Sequence, residues 1–152
     1  MKIQIIQVPY DSGYRDLRQG CGPAHFIDQN LDGMLEADGH QVRTTRIDAK
    51  AEFTTEIGTA FELNRLLSVE VKAAVESGSF PIVLAGNCNS CLGTIAGIGS
   101  AKLGVIWLDA HGEFNTNRLF CISRLQAYAF ISFWFPSSVN GVFVSEIHNL
   151  LN

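Results

Sequence analysis

The chain has 152 residues, 47% of them hydrophobic and 17% charged, with a formal net charge of -4 and a pI near 5.5. That length buries one core, and the mild acidity leaves no electrostatic footprint for nucleic acid or an anionic membrane. Residues 1–8 are too short and too interrupted by Gln4 and Gln7 for a secretory signal, so a cytoplasmic location is the expectation, with small solutes or proteins as partners.

Strand and helix signals alternate over the first hundred residues, which predicts an α/β fold with a parallel sheet. Ile3 to Val8 reads as the first strand. A loop with Pro9, Asp11, Gly13 and Gly20 to Gly22 follows. A helix then opens at Pro23, carries Ile27, Leu31 and Leu35 on one face, and stops near Gly39. His40 to Ile47 predicts a second strand. Ile57, Phe61, Leu67, Val71 and Val75 predict the buried face of a long helix ended by Gly78. Pro81 to Leu84 is the third strand, Asn89 to Ile98 a helix, and Leu103 to Leu108 a fourth strand, apolar enough to be buried and parallel.

Two strand ends carry chemistry. Asp109, His111 and Glu113 follow the fourth strand at alternate positions, so in extended backbone their side chains leave one side and converge. Two carboxylates and an imidazole suit Mn, Fe or Zn, and ligands gather at the carboxyl ends of strands in α/β sheets. The bland alternative is a turn capped by Asp109 with polar neighbours. After the third strand comes Gly86-Asn87-Cys88-Asn89-Ser90, which offers either a thiolate to a metal or electrophile, or a glycine turn with an Asn or Ser cap. Cys88 and Cys91 also form a C-x-x-C pair, readable as a redox dithiol, half a zinc site or two unrelated thiols. Cys21 and Cys121 do not supply the second pair that zinc would need.

The order and spacing of these loops resemble the arginase and agmatinase family of ureohydrolases. Asp109, Ala110, His111, Asn115 and Thr116 stand as in the family's Asp-Ala-His-x-Asp-x-Asn motif, with Glu113 in place of Asp. At the family's Gly-Gly-Asp-His-Ser turn, Gly86 is kept, Asn87 replaces Asp and Cys88 falls at the metal-binding His. Val8-Pro9-Tyr10-Asp11, Gly13 and Gly22-Pro23 look like its opening loop. The resemblance implies a three-layer α/β/α, mostly parallel ureohydrolase-like fold, here incomplete, with strand order 2-1-3-8-7-4-5-6 in full-length members. It also implies two Mn ions whose bridging hydroxide attacks the carbon of a small guanidino or amidino compound, as arginases, agmatinases and formimidoylglutamases do.

Carried across by position, Asp109 would bridge both ions, His111 would bind one, and Glu113 the other with help from Cys88. Asn115 would hold the far end of the substrate, and no further catalytic side chain is assigned. Cys88, a softer ligand than His, would tilt its site toward Zn.

The resemblance covers residues 1–116, expected to form a partial ureohydrolase-like domain. Residues 117–152 are expected to be an apolar tail in which only Arg118, Arg124 and Glu146 are formally charged. Leu119 to Phe135 falls short of a membrane span, which takes about 20 mostly apolar residues, because Arg124 and Gln126 interrupt it. The family's Pro after Asn-Thr is missing, and no Asp follows Asp109 to complete the metal sites. The tail therefore reads as a frameshift product on a truncated, weakly active or inactive hydrolase. The alternative is a noncatalytic or metal-binding subunit whose Phe130, Phe133, Trp134 and Phe135 pack on a partner or on a second copy.

Overall fold

A computed structural model of the chain describes residues 1–50, 55–99, 103, 105–109, 130–134 and 143–146. They fall into two compact units, residues 1–99 and 100–152.

The first unit is built around β1 (Lys2–Val8), the central strand of a three-stranded parallel sheet. On one side lies β4 (Gln41–Arg46), with Ile3 opposite Val42, and on the other β5 (Phe80–Ala85), with Ile3 opposite Phe80. This is the 2-1-3 order of long strands that the resemblance implies. Every residue from Ile3 to Val8 is buried, so both faces of β1 are covered, as in an α/β layer. Ile6, Val8 and Tyr10 join Ile47, Leu63, Leu67 and Val71 in one core cluster. The buried amide of Gln4 is satisfied by donating to Thr45 Oγ1 at 3.0 Å.

Between β1 and β4 come a two-stranded hairpin, β2 (Tyr10–Asp11) and β3 (Tyr14–Arg15), a 3-10 turn at Arg18–Cys21, and α1 (Gly22–Asp28) and α2 (Leu31–Ala37). The single helix expected from Pro23 to Gly39 is thus two. Asn30 sits in the left-handed region at φ 64°, a conformation Asn tolerates better than most residues, and the helical path restarts after it. Gly39, at φ 83°, ends α2 as expected.

The long helix α3 (Glu56–Glu76) begins where Thr55 Oγ1 accepts the Gly58 N–H at 3.0 Å. Its buried face is Thr59, Leu63, Leu67, Val71 and Ala74. Ile57 and Phe61, expected in the core, are each 72% exposed, and Val75 is 40% exposed. Two positions along a helix is about 200° around it, so Ile57 and Phe61 point away from Thr59 and Leu63. The core face contains a Thr and an Ala, whose apolar signal is weaker than that of the Ile and Phe behind them.

Helix α4 (Ser90–Ile98) lies along α3. Gly93 and Gly97 permit the close approach, since a Cβ at Gly97 would sit 2.6 Å from that of Val71. The Gly93 N–H also donates to Asn64 Oδ1 at 2.7 Å.

The second unit contains a three-stranded sheet of β6 (Val105–Asp109), β7 (Phe130–Trp134) and β8 (Phe143–Glu146). Its pairings correct one expectation. The fourth strand is not parallel, because β6 runs antiparallel to β7, with Asp109 opposite Phe130 and Val105 opposite Trp134, and β7 runs antiparallel to β8. Antiparallel neighbours need no crossover helix, and the β-prone Phe130-Ile131-Ser132-Phe133-Trp134 supplies a partner from the aromatic tail.

Candidate metal centre

The Cys88 turn is positioned by backbone packed on backbone. β5 ends at Ala85, and the Gly86 N–H continues the ladder by donating to the Val8 carbonyl at 3.2 Å. A Cβ at Gly86 would lie 2.6 Å from the carbonyl oxygens of Tyr10 and Gln19 and from the Gly20 nitrogen, so glycine alone lets this loop seat under the segment that follows β1. Three successive bonds then start α4: Ser90 N–H to Asn87 C=O at 3.2 Å, Cys91 N–H to Cys88 C=O and Leu92 N–H to Asn89 C=O, both at 3.1 Å. Asn89 holds the cap position without a side-chain cap bond, so an Asn cap does not explain the turn. The Cys88 side chain is exposed, with its thiol 3.9 Å from Asn87 Oδ1.

The overlying segment is held by charges that no local pattern announces. Arg46, at the end of β4, donates to Asp16 at 2.5 Å and lies 3.5 Å from Asp48. Arg15 lies 3.4 Å from the same Asp16 and 3.1 Å from the same Asp48. The hydrogen bond to Asp16 raises the Arg46 guanidinium above its ordinary pKa. Tyr10 adds a tie by accepting the Ala49 N–H on its hydroxyl at 3.0 Å. Residues some thirty apart in sequence form this alternating ring, so only the fold brings them together.

Asp109 is the last residue of β6, at the carboxyl end of its strand. His111, Glu113 and Asn115 lie outside the described residues. Asp109 and Cys88 belong to different units, and among the described residues no three His, Cys, Asp or Glu side chains form a metal-holding group. In donor chemistry the Asp109, His111 and Glu113 set fits a hard or borderline divalent ion, while Cys88 favours a softer one.

Elsewhere, an open groove of about 1030 Å³ lies along α3 and α4. Phe61, Arg65 and Leu92 are among its lining residues, and among the described residues Glu62 is its one carboxylate, with no His, Cys or Asp beside it, so it is not a ligand cluster. Among the described residues no helix is long and apolar enough to cross a membrane.

Comparison with known proteins places these features in a lineage. The sequence model of the Arginase family matches residues 1–128. The arginase of Bacillus subtilis (strain 168) is 32% identical over 123 residues, 75% of this chain and 42% of the relative. That of Bacillus caldovelox is 46% identical over 57 residues, covering 36% of this chain and 19% of the relative. Among solved structures, a crystal structure of arginase from Bacillus subtilis superposes with a TM-score of 0.66 at 30% identity, covering 76% of this chain and 40% of that one. Arginase from Bacillus caldovelox gives 0.63 at 30% identity, covering 76% and 42%. The chain spans about two-fifths of the length of the Bacillus subtilis arginase it matches.

Proposed function

The chain belongs to the arginase family, and on that premise we propose that it carries part of a metal-dependent hydrolase acting on the C–N bonds of small guanidino or amidino compounds. The observation that carries this reading is the family match over residues 1–128, which spans the Asp109-Ala110-His111 run beginning at the last residue of β6. Asp109, His111 and Glu113 would hold the ion, with Cys88 as a fourth donor and Asn115 orienting substrate by hydrogen bonding. When bound, Mn or another divalent ion supplies Lewis acidity and activates water at neutral pH.

The chain's own contribution is placement. Gly86 seats the turn that carries Cys88 against Tyr10, Gln19 and Gly20, the ring of Arg15, Asp16, Arg46 and Asp48 ties the segment after β1 to the end of β4, and Asp109 pairs with Phe130 at the end of β6. Cys88 takes the family's His position, and Glu113 is one methylene longer than Asp. We therefore propose that the 152-residue chain by itself holds a single ion weakly and turns over slowly or not at all.

Calorimetric titration with Mn²⁺, beside a urea-release assay on arginine and agmatine, tests this. Metal binding that falls at least tenfold in Asp109→Asn supports the site, and unchanged binding refutes it. Binding without urea release under Mn²⁺ or Zn²⁺ selects the noncatalytic, metal-binding form of the same site.

A further inference from the structure

We propose that Cys88 and Cys91 are a reversible dithiol, closing to an intramolecular disulfide across the turn that leads into α4. The sequence pair alone favours two unrelated thiols, and the backbone is what joins them. The Cys91 N–H donates to the Cys88 carbonyl at 3.1 Å. A turn closed in this way keeps the first and fourth Cα atoms within about 7 Å, and a disulfide takes Cα separations of about 4.4–6.8 Å.

Both residues are thiols, Cys88 exposed and Cys91 half-buried, so a reagent in solution meets Cys88 first. The turn is anchored at both ends, by Gly86 against Tyr10, Gln19 and Gly20, and by the Gly93 N–H on Asn64. The two Cα atoms are thus held near the separation a disulfide spans by contacts that do not involve sulfur. The third described thiol, Cys21, donates to the Asp16 carbonyl at 3.0 Å and belongs to a different element.

The reaction partner is a small external disulfide such as oxidised glutathione. The Cys88 thiolate attacks one of its sulfurs, the external S–S bond breaks, and one glutathione leaves as thiolate. Cys91, having given its proton to solvent, then attacks Cys88 Sγ and expels the second glutathione thiolate. Two protein thiols lose two protons to solvent and two electrons to the external disulfide, and one S–S bond replaces another. None of this uses the metal reading, so either can fail alone.

The test equilibrates the metal-free full chain in glutathione buffers of rising oxidised fraction, traps thiols by alkylation and measures tryptic masses. Residues 73–102 form one tryptic peptide holding both cysteines and no other. The expected result is loss of two hydrogens and of both alkylation sites on that peptide together, reversed by dithiothreitol, while Cys21, with no neighbouring thiol in sequence to resolve it, ends alkylated or as a single glutathione adduct. In Cys91→Ser the peptide should stop as a persistent glutathione adduct on Cys88. The proposal is overturned if the wild-type chain accumulates that same adduct, if Cys88 pairs with Cys21 or Cys121, or if both thiols stay alkylated in fully oxidised glutathione.

Discussion

Replacing Gly86 by Ala adds one methyl group where three backbone atoms already lie 2.6 Å from the position its Cβ would take. Gly86 is not among the residues with positive φ, so the penalty is one of packing alone. Side chains that crowd a methyl can rotate away, but the Tyr10 and Gln19 carbonyls and the Gly20 nitrogen move only if the whole segment after β1 moves. That segment is held by Asp16 N–H to Pro9 C=O and Gly20 N–H to Leu17 C=O, each 2.8 Å, bonds worth about 1 kcal/mol apiece. Overpacking costs about 1–3 kcal/mol, and with no soft neighbour the upper end, about 3 kcal/mol, is expected. For a cooperative unit near a hundred residues that corresponds to a fall in Tm of roughly 12–24 °C. Thermal and urea unfolding followed by circular dichroism measure it, with Gly22→Ala as control. Gly22 is the first residue of α1, and an added Cβ there meets nothing within 4 Å. The control should stay within about 0.5 kcal/mol of wild type or gain slightly. A Gly86→Ala protein equally stable would refute the claim that this loop is seated by backbone contact.

Leu67→Ala, at a fully buried position, should cost about 2–5 kcal/mol in urea unfolding, whereas Phe61→Ala should change stability by less than about 0.5 kcal/mol; equal losses would mean that α3 buries a different face. Tyr10→Phe removes the acceptor of the Ala49 N–H and should cost about 1–2 kcal/mol by the same measurement, a neutral result showing that the tie is redundant. Arg46→Ala should lose at most about 1 kcal/mol at low salt, because the ring is partly exposed, and less again in 1 M NaCl. The raised Arg46 pKa stabilises the fold below the ordinary arginine range and is lost only as pH rises through the raised value. The Arg46→Ala loss should therefore not arise from arginine titration between pH 6 and 9, and a loss confined to that window and tracking a group near neutrality would contradict the assignment.

The parallel core was legible because β1 and β5 are short apolar runs and β4, though its residues Gln41–Arg46 are mostly polar, is rich in β-branched residues and set off from them by helical spacing; the 2-1-3 order came with the family resemblance. Two features resisted for different reasons. Helix α3 is apolar on more than one side, and its core face uses Thr59 and Ala74, so periodicity favoured the bulkier but exposed Ile57 and Phe61. The direction of β6 depends on which strand pairs with it, and β7 lies in a segment whose aromatic composition suggested a tail rather than a sheet. At the candidate site, Cys88 and its glycine turn were visible in sequence. The ring of Arg15, Asp16, Arg46 and Asp48 was not, because ion pairing between distant segments leaves no periodic trace.

The central place of β1 has a consequence for the order in which the chain acquires structure. Its partners begin at Gln41 and Phe80, so Ile3, Ile5, Ile6 and Val8 leave the ribosome long before either flank exists. Only when β5 has been synthesised can both edges be matched, and until then an apolar, hydrogen-bond-hungry segment waits on loop closures tens of residues long. Early in its life this polypeptide should therefore expose an aliphatic stretch of the kind chaperones recognise, and its yield should respond to translation speed and chaperone supply more than a locally wired helical protein's would.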